Sequence, residues 1–417
     1  MYNSYGVVPV SNYLECQNMI KLDDIIEAYL CARTNKRKSP DQVEFEIHWE
    51  RNCVRLYEDI INHTLRPTAY TFVCQKPKPR EVFASDMSTR ILHHYLDIRL
   101  RPLLEKRLSP HTFNNRVGMG QDACQNAVIS DIYEVSEGYT QDCYITKIDI
   151  QGCFPNISQD IAHKQLEEIV LNDYVGADKD ELIYILQVCI FSYPTEHCYR
   201  KSSLDKWKYI VPSKSLFTKP RGTGAAIGHL IWQNAVNYYF HEIDEWMDSM
   251  GICYERYVDD FYIISRTKGI LLLIPELRRR LAELGATLHP YKFYHQHYSK
   301  GVECLGSHIK IDRIYPNKRI LKNAKEHIVQ LNRCARENKV YLFISSINSY
   351  LGICKNRNGF ARAYDLINTI SPKWWEYVTF NRRRVCLQPK PRYKERNVII
   401  HKFNLLSHDK NRNPRFN

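Results

Sequence analysis

The chain has 417 residues, 44% hydrophobic and 12% aromatic, and its 59 Lys/Arg against 46 Asp/Glu leave a formal charge of +13. That length suits two to four subdomains, the apolar content excludes a disordered chain, and the basic balance favours a polyanionic partner, with nucleic acid the leading candidate. The most apolar stretch, Ile270–Ile274, is far too short to cross a bilayer, and the 14 cysteines show no CxxC zinc spacing. No membrane segment is expected, and without a secretory signal the cysteines read as reduced thiols of a cytoplasmic protein.

In chain order, residues 1–44 hold a short amphipathic stretch and a basic turn at Arg33–Lys38, and residues 45–66 read as helix. Tyr70–Cys74 reads as a strand, and extended sequence resumes at Glu81–Ala84. Pro77 and Pro79 forbid a helix between them, so Lys76, Lys78 and Arg80 fall at a hairpin tip. A long helix follows from Ser88. The strand Ile145–Ile150 contains Asp149 at its end, and Ser158 is the predicted N-cap of a helix with Ile161, Leu166, Ile169 and Val170 on one face. A helix from near Ile227 carries Phe240, Ile243, Met247 and Met250, and Gly251 ends it.

Next, apolar β-formers flank Tyr257-Val258-Asp259-Asp260, which predicts a hairpin with the acidic pair at a tight turn. A helix with Leu273, Leu277, Leu281 and Leu284 stops at Gly285. This order suits an antiparallel sheet backed by helices, an α+β layer. Residues 320–370 read as a helical bundle. The stretch 371–417 holds twelve Lys/Arg and three Asp/Glu, a net of +9, and reads as a basic, partly irregular extension.

Adjacent carboxylates repel, so Asp259 and Asp260 are either an exposed acidic turn or a cation site. Asp149 at a second strand end tilts the choice, since three carboxylates can serve two Mg²⁺ ions in phosphoryl transfer. Lys76, Lys78 and Arg80 either clamp a triphosphate or form a solvated loop. The run Gly222-Thr223-Gly224-Ala225-Ala226-Ile227-Gly228 lets backbone approach a base pair or is only flexible. No Gly-Lys-Ser/Thr follows it, so it is not a Walker loop.

This ordered set resembles the reverse transcriptases: Lys78-Pro79-Arg80, Asp149 with Phe154, the glycine loop before Gln233, Tyr257-Val258-Asp259-Asp260, then Lys292 and Cys304-Leu305-Gly306. The resemblance covers about residues 65–370 and implies a right-hand polymerase with fingers, palm and thumb. It divides the chain into an N-terminal extension (1–64), fingers and the start of the palm (65–145), palm (146–315), thumb (316–370) and a basic extension (371–417). It implies that Asp149, Asp259 and the Ile150 carbonyl hold metal, with Asp260 in support. Arg80 and Lys78 would meet the incoming triphosphate, Phe154 would be the sugar gate, and Lys292 would protonate pyrophosphate or bind phosphate. Template RNA, a DNA or RNA primer and dNTPs are the implied substrates.

Most of the family have Gln-Gly in the glycine loop, whereas Ile227-Gly228 with Gln233 resembles the variant of diversity-generating retroelements. The segment Ser346–Gly352 is similar to the thumb of that group, while Trp232 replaces its usual Ser. That group makes cDNA with errors opposite adenine and works with structured non-coding RNA and a small basic accessory protein. The alternatives are another bacterial reverse transcriptase, of antiviral-defence or retron type, and a non-catalytic RNA-binding protein on a polymerase fold.

Overall fold

A computed structural model describes residues 20–34, 39–74, 78–196, 198–311 and 313–393. Lys76 of the basic hairpin tip and the tail beyond Tyr393 lie outside the described residues. The chain forms two compact units, residues 1–131 with 144–295, and residues 132–143 with 296–417.

The strands are β1 (Ala69–Cys74), β2 (Arg80–Ser85), β3 (Tyr144–Asp149), β4 (Cys198–Arg200), β5 (Cys253–Tyr257), β6 (Asp260–Ser265), β7 (Tyr294–His297), β8 (Val302–Cys304), β9 (Ser307–Lys310), β10 (Arg313–Pro316), β11 (Val378–Asn381) and β12 (Cys386–Pro389). In the first unit β1 and β2 pair antiparallel and β4 joins β1 in parallel, giving the order β2-β1-β4. The buried Glu81 of β2 accepts hydrogen bonds from Ser215 Oγ and, at 2.9 Å, from Leu216 N, which pins the segment after β4 to this sheet.

The sheet that carries the acidic residues has the order β5-β6-β3-β7, and the first two residues of β7 belong to this unit. Antiparallel register sets Asp149 opposite Asp260 and Tyr257 opposite Asp260. Side chains alternate across a strand. Ile148, Phe261, Ile263 and Tyr254 therefore enter one core on one face. Asp149, Lys147, Asp260, Tyr262 and Glu255 share the other. The expected α+β layer is observed.

The long helix runs Met87–Arg107, capped by Asp86 accepting from Thr89 N at 2.8 Å. Ser158 caps the helix Gln159–Asp173, as its sequence predicts, accepting from Ile161 N at 3.3 Å. The single helix read over residues 45–66 is two, Pro40–Ile47 and Trp49–Ile61, broken at His48. The helix expected from near Ile227 begins at Leu230 and breaks at Phe240, giving Leu230–Tyr239 and His241–Ser249. Gly228 is the reason for the late start: its φ of +114° is not helical.

The second unit holds the β8-β9-β10 meander, with Leu305 and Gly306 at positive φ in the predicted turn. Helices Lys318–Asn332, Val340–Lys355 and Phe360–Ile367 occupy the stretch read as a bundle. Residues 371–393 are more regular than the basic composition suggests. The β11–β12 hairpin forms there, and Trp374 is fully buried, stacked on Phe343 at 4.0 Å. Four apolar side chains, Trp374, Val378, Val385 and Leu387, outweigh the charge around them by joining the second core. Among the described residues no helix is long and apolar enough to cross a membrane.

Candidate active site

The β5–β6 connection is a two-residue turn, Val258-Asp259, because Tyr257 pairs directly with Asp260. Val258 takes a φ of +57°, a left-handed conformation disfavoured for a β-branched residue. Two hydrogen bonds hold this turn. Ile150 N donates to Asp259 O at 3.1 Å, and Arg256 Nη1 donates to Val258 O at 3.2 Å. The chain after β3 is fixed as well, by His289 N donating to Asp149 O and Gln151 N to Thr287 O, both at 2.8 Å.

Asp149, Asp259 and Asp260 are thus brought together at the ends of β3 and β6, as their motifs predict. Two lysines already serve them. Lys292 Nζ lies 2.5 Å from Asp149 Oδ2, and Lys147 Nζ lies 3.5 Å from Asp260 Oδ1. Burial, then the Asp260 and Asp149 carboxylates, push the Asp259 carboxyl up to about 7. Burial raises Asp260 too, against the pull of Lys147. Positive charge is therefore in short supply at Asp259.

The donor set suits a hard divalent cation, since it consists of carboxylate and carbonyl oxygens. It is not a ready-made cage: among the described residues no three His, Cys, Asp or Glu side chains are already grouped to hold an ion. A cation using Asp149 Oδ2 would displace Lys292, whose side chain is 43% exposed. On that chemistry the residues fit a divalent metal.

The glycine run is a built connector. Ala225 N donates to Phe154 O at 2.7 Å, Gly224 N to Ile157 O at 2.8 Å and Gln159 N to Gly222 O at 2.9 Å. On its other side Phe83 N of β2 donates to Ile227 O at 2.8 Å. A Cβ on Gly228 would stand 2.3 Å from Phe83 O, so only glycine permits this approach. Phe154 is half-buried against the main core, Ile227 is half-buried, and Gly228 and Gln233 are exposed. Lys78 and Arg80 are exposed at the start of β2, on the other sheet from the carboxylates.

Lys147 and Arg256 escaped the sequence analysis. Lys147 had a signal, since a strand places residues two apart on one face and Lys147 precedes Asp149 by two. Arg256 had none, since it follows Glu255 in a strand with two charged residues and its partners lie elsewhere in the chain.

No curated protein matches the chain. Among solved structures it is similar to an apo telomerase from Candida tropicalis truncated from its C-terminal domain, at 12% identity and TM-score 0.43, over 64% of this chain and 60% of that one. It is also similar to telomerase from Candida albicans in complex with a TWJ fragment of telomeric RNA, at 13% identity and TM-score 0.42, over 80% of this chain and 63% of that one. The chain therefore spans about 60% of the length of the first of these, and likenesses so remote carry no inference about activity. The family model for reverse transcriptase (RNA-dependent DNA polymerase) matches residues 76–309, a stretch that runs from the basic hairpin through the glycine loop and both acidic strand ends. That match covers more than half of the chain and agrees with the α+β architecture, so the chain belongs to the reverse transcriptase family and carries its right-hand polymerase fold.

Proposed function

We propose that the chain is an RNA-directed DNA polymerase, a nucleotidyltransferase that extends a DNA or RNA primer along a template RNA with dNTPs. The observation that carries this reading is the register that sets Asp149 against Asp260 with Asp259 at the adjoining turn. Asp149, Asp259 and the Ile150 carbonyl would hold the metal, with Asp260 in support. Two Mg²⁺ ions held there supply charge stabilisation for the attacking and leaving oxygens. Lys292, released from Asp149, carries an ammonium able to meet pyrophosphate. Lys147 stays on its strand and offsets the Asp260 charge. Lys78 just before β2 and Arg80 at its start, both exposed, offer cationic donors to a triphosphate. Domain limits at 65, 146, 316 and 371 go with this reading. Primer extension on a primed RNA with Mg²⁺ tests it directly, and absence of any product would sink it.

Phe154 is proposed as the sugar gate. Its carbonyl accepts from Ala225 N, which anchors the backbone that carries the ring. Phe154→Ala is expected to raise ribonucleotide use relative to deoxynucleotide use. Competition between paired nucleotides measures this, and an equal loss for both would make Phe154 a packing residue.

Within the family we propose the diversity-generating type, with a structured RNA and a small basic accessory protein as partners. Ile227 supports it: the side chain has no polar group, and the residue's carbonyl is already used by Phe83 N. Ile227→Gln is expected to reduce misincorporation opposite template adenine more than it reduces correct insertion. Each ~1.4 kcal/mol of discrimination changes selectivity about tenfold. Sequencing cDNA from both proteins on one RNA measures the ratio. Accurate copying of adenine by the unaltered protein would leave the polymerase reading and remove the subtype. Trp232, fully buried where that subtype has Ser, keeps an antiviral-defence or retron-type enzyme as the second reading.

A further inference from the structure

Arg256 is wholly buried in the middle of β5, and its guanidinium reaches three separate parts of the first unit. Nε donates to Asp244 Oδ1 at 2.9 Å, and Nη2 donates to Asp244 Oδ2. Nη2 also reaches Asn237 O at 2.9 Å, on the helix Leu230–Tyr239, while Nη1 reaches Val258 O at 3.2 Å. The Arg256 backbone is tied down too, by Arg256 N to His111 O at 2.8 Å and Phe113 N to Arg256 O at 3.1 Å. A buried ion pair adds little net stability over apolar residues of the same size. An arginine placed there for stability alone would need only Asp244. The branch to Val258 is a different matter, because it ends on the residue whose backbone is strained, one residue before Asp259.

We infer that Arg256 is a positioning residue for nucleotide addition: anchored by Asp244 and Asn237, it holds the Val258 carbonyl and so fixes the Asp259 turn. This rests on the polymerase reading above. The physical need is plain. A valine at φ +57° gains by relaxing, and the hydrogen bonds from Ile150 N and Arg256 Nη1 oppose that relaxation together with the Tyr257–Asp260 pairing. Letting the turn drift moves the Asp259 carboxylate away from Asp149, and a misplacement of about 1 Å can cost about 10²-fold in rate.

Arg256→Met alone strands the Asp244 carboxylate in the core and is expected to fold poorly. Arg256→Met combined with Asp244→Leu removes both charges and keeps an apolar filling. That double variant is expected to fold, to show faster hydrogen exchange at the Ile150 amide that donates to Asp259, and to lose about 10²-fold in kcat with little change in the KM for dNTP. Adding Val258→Gly, which makes the turn conformation unstrained, is expected to recover at least about tenfold of that loss. Exchange at Ile150 equal to the unaltered protein, or no recovery with Val258→Gly, overturns the proposal. If the unaltered protein extends no primer, the polymerase reading fails, and hydrogen exchange alone still decides whether Arg256 holds the turn.

Discussion

Asp259→Asn is expected to abolish nucleotide addition while making the protein more stable at neutral and alkaline pH without divalent cations. The carboxyl is displaced from an ordinary 3.8 up to about 7, chiefly by burial and then by its two acidic neighbours. Ionising it therefore costs the folded state more than the unfolded chain. The penalty is absent well below the ordinary value of 3.8, grows as pH rises through it, and is complete above the folded value near 7. Removing the charge should gain about 1–3 kcal/mol at pH 8 and almost nothing at about pH 2.5. Thermal unfolding of both proteins in chelator, at the two pH values, reads this difference. Primer extension reads the other half, because an amide offers one neutral oxygen where a metal needs a carboxylate. Asp149→Ala should be equally inactive. Near-normal synthesis by either variant would remove these residues from the chemistry.

Gly228→Ala should be the most damaging change outside the carboxylates. The new methyl would stand 2.3 Å from the Phe83 carbonyl, and the φ of +114° is itself closed to alanine. The closest atoms are the backbone O and C of Phe83, which cannot swing aside, so the Ile227–Phe83 hydrogen bond must break and β2 must part from the glycine run. A loss of about 3–5 kcal/mol and nearly all activity is expected. Gly222→Ala provides the contrast. It has a φ of +78° but nothing within 4 Å of an added Cβ, so only the conformational term, about 1 kcal/mol, applies. Comparable melting temperatures for the two variants would refute the close approach at Gly228.

The parts that could be read from the residues are those governed by local rules. Apolar β-formers along Ile145–Ile150 and around Asp259-Asp260 predict a strand that ends in acid and a hairpin turned on an acidic pair, and the β5–β6 pairing needs only that turn. Ser158 is legible as a cap because its hydroxyl acts within one turn. What escaped depends on long-range partners. Arg256 matters through Asp244, Asn237 and Val258, which no spacing rule connects. The helix start at Leu230 rather than Ile227 follows from a strand far upstream, since Phe83 claims the Ile227 carbonyl. Composition also misled at the far end. A net charge of +9 over residues 371–417 hid Trp374, whose ring is one of the largest fully buried side chains of the molecule.

The Lys292–Asp149 contact changes how cation entry should be understood. Asp149 Oδ2 is already held by a tethered ammonium at 2.5 Å, so a cation taking that oxygen would enter by exchange and not by addition to an empty, repelling cluster. Without a metal the carboxylates keep a counter-charge within the same chain. On the polymerase reading, a metal that displaced this lysine would leave it as a positive arm beside the place where the charge of a triphosphate would arrive. Occupancy and the release of that arm would then be coupled, and Lys292→Met is expected to bind cations more readily yet have nothing to release.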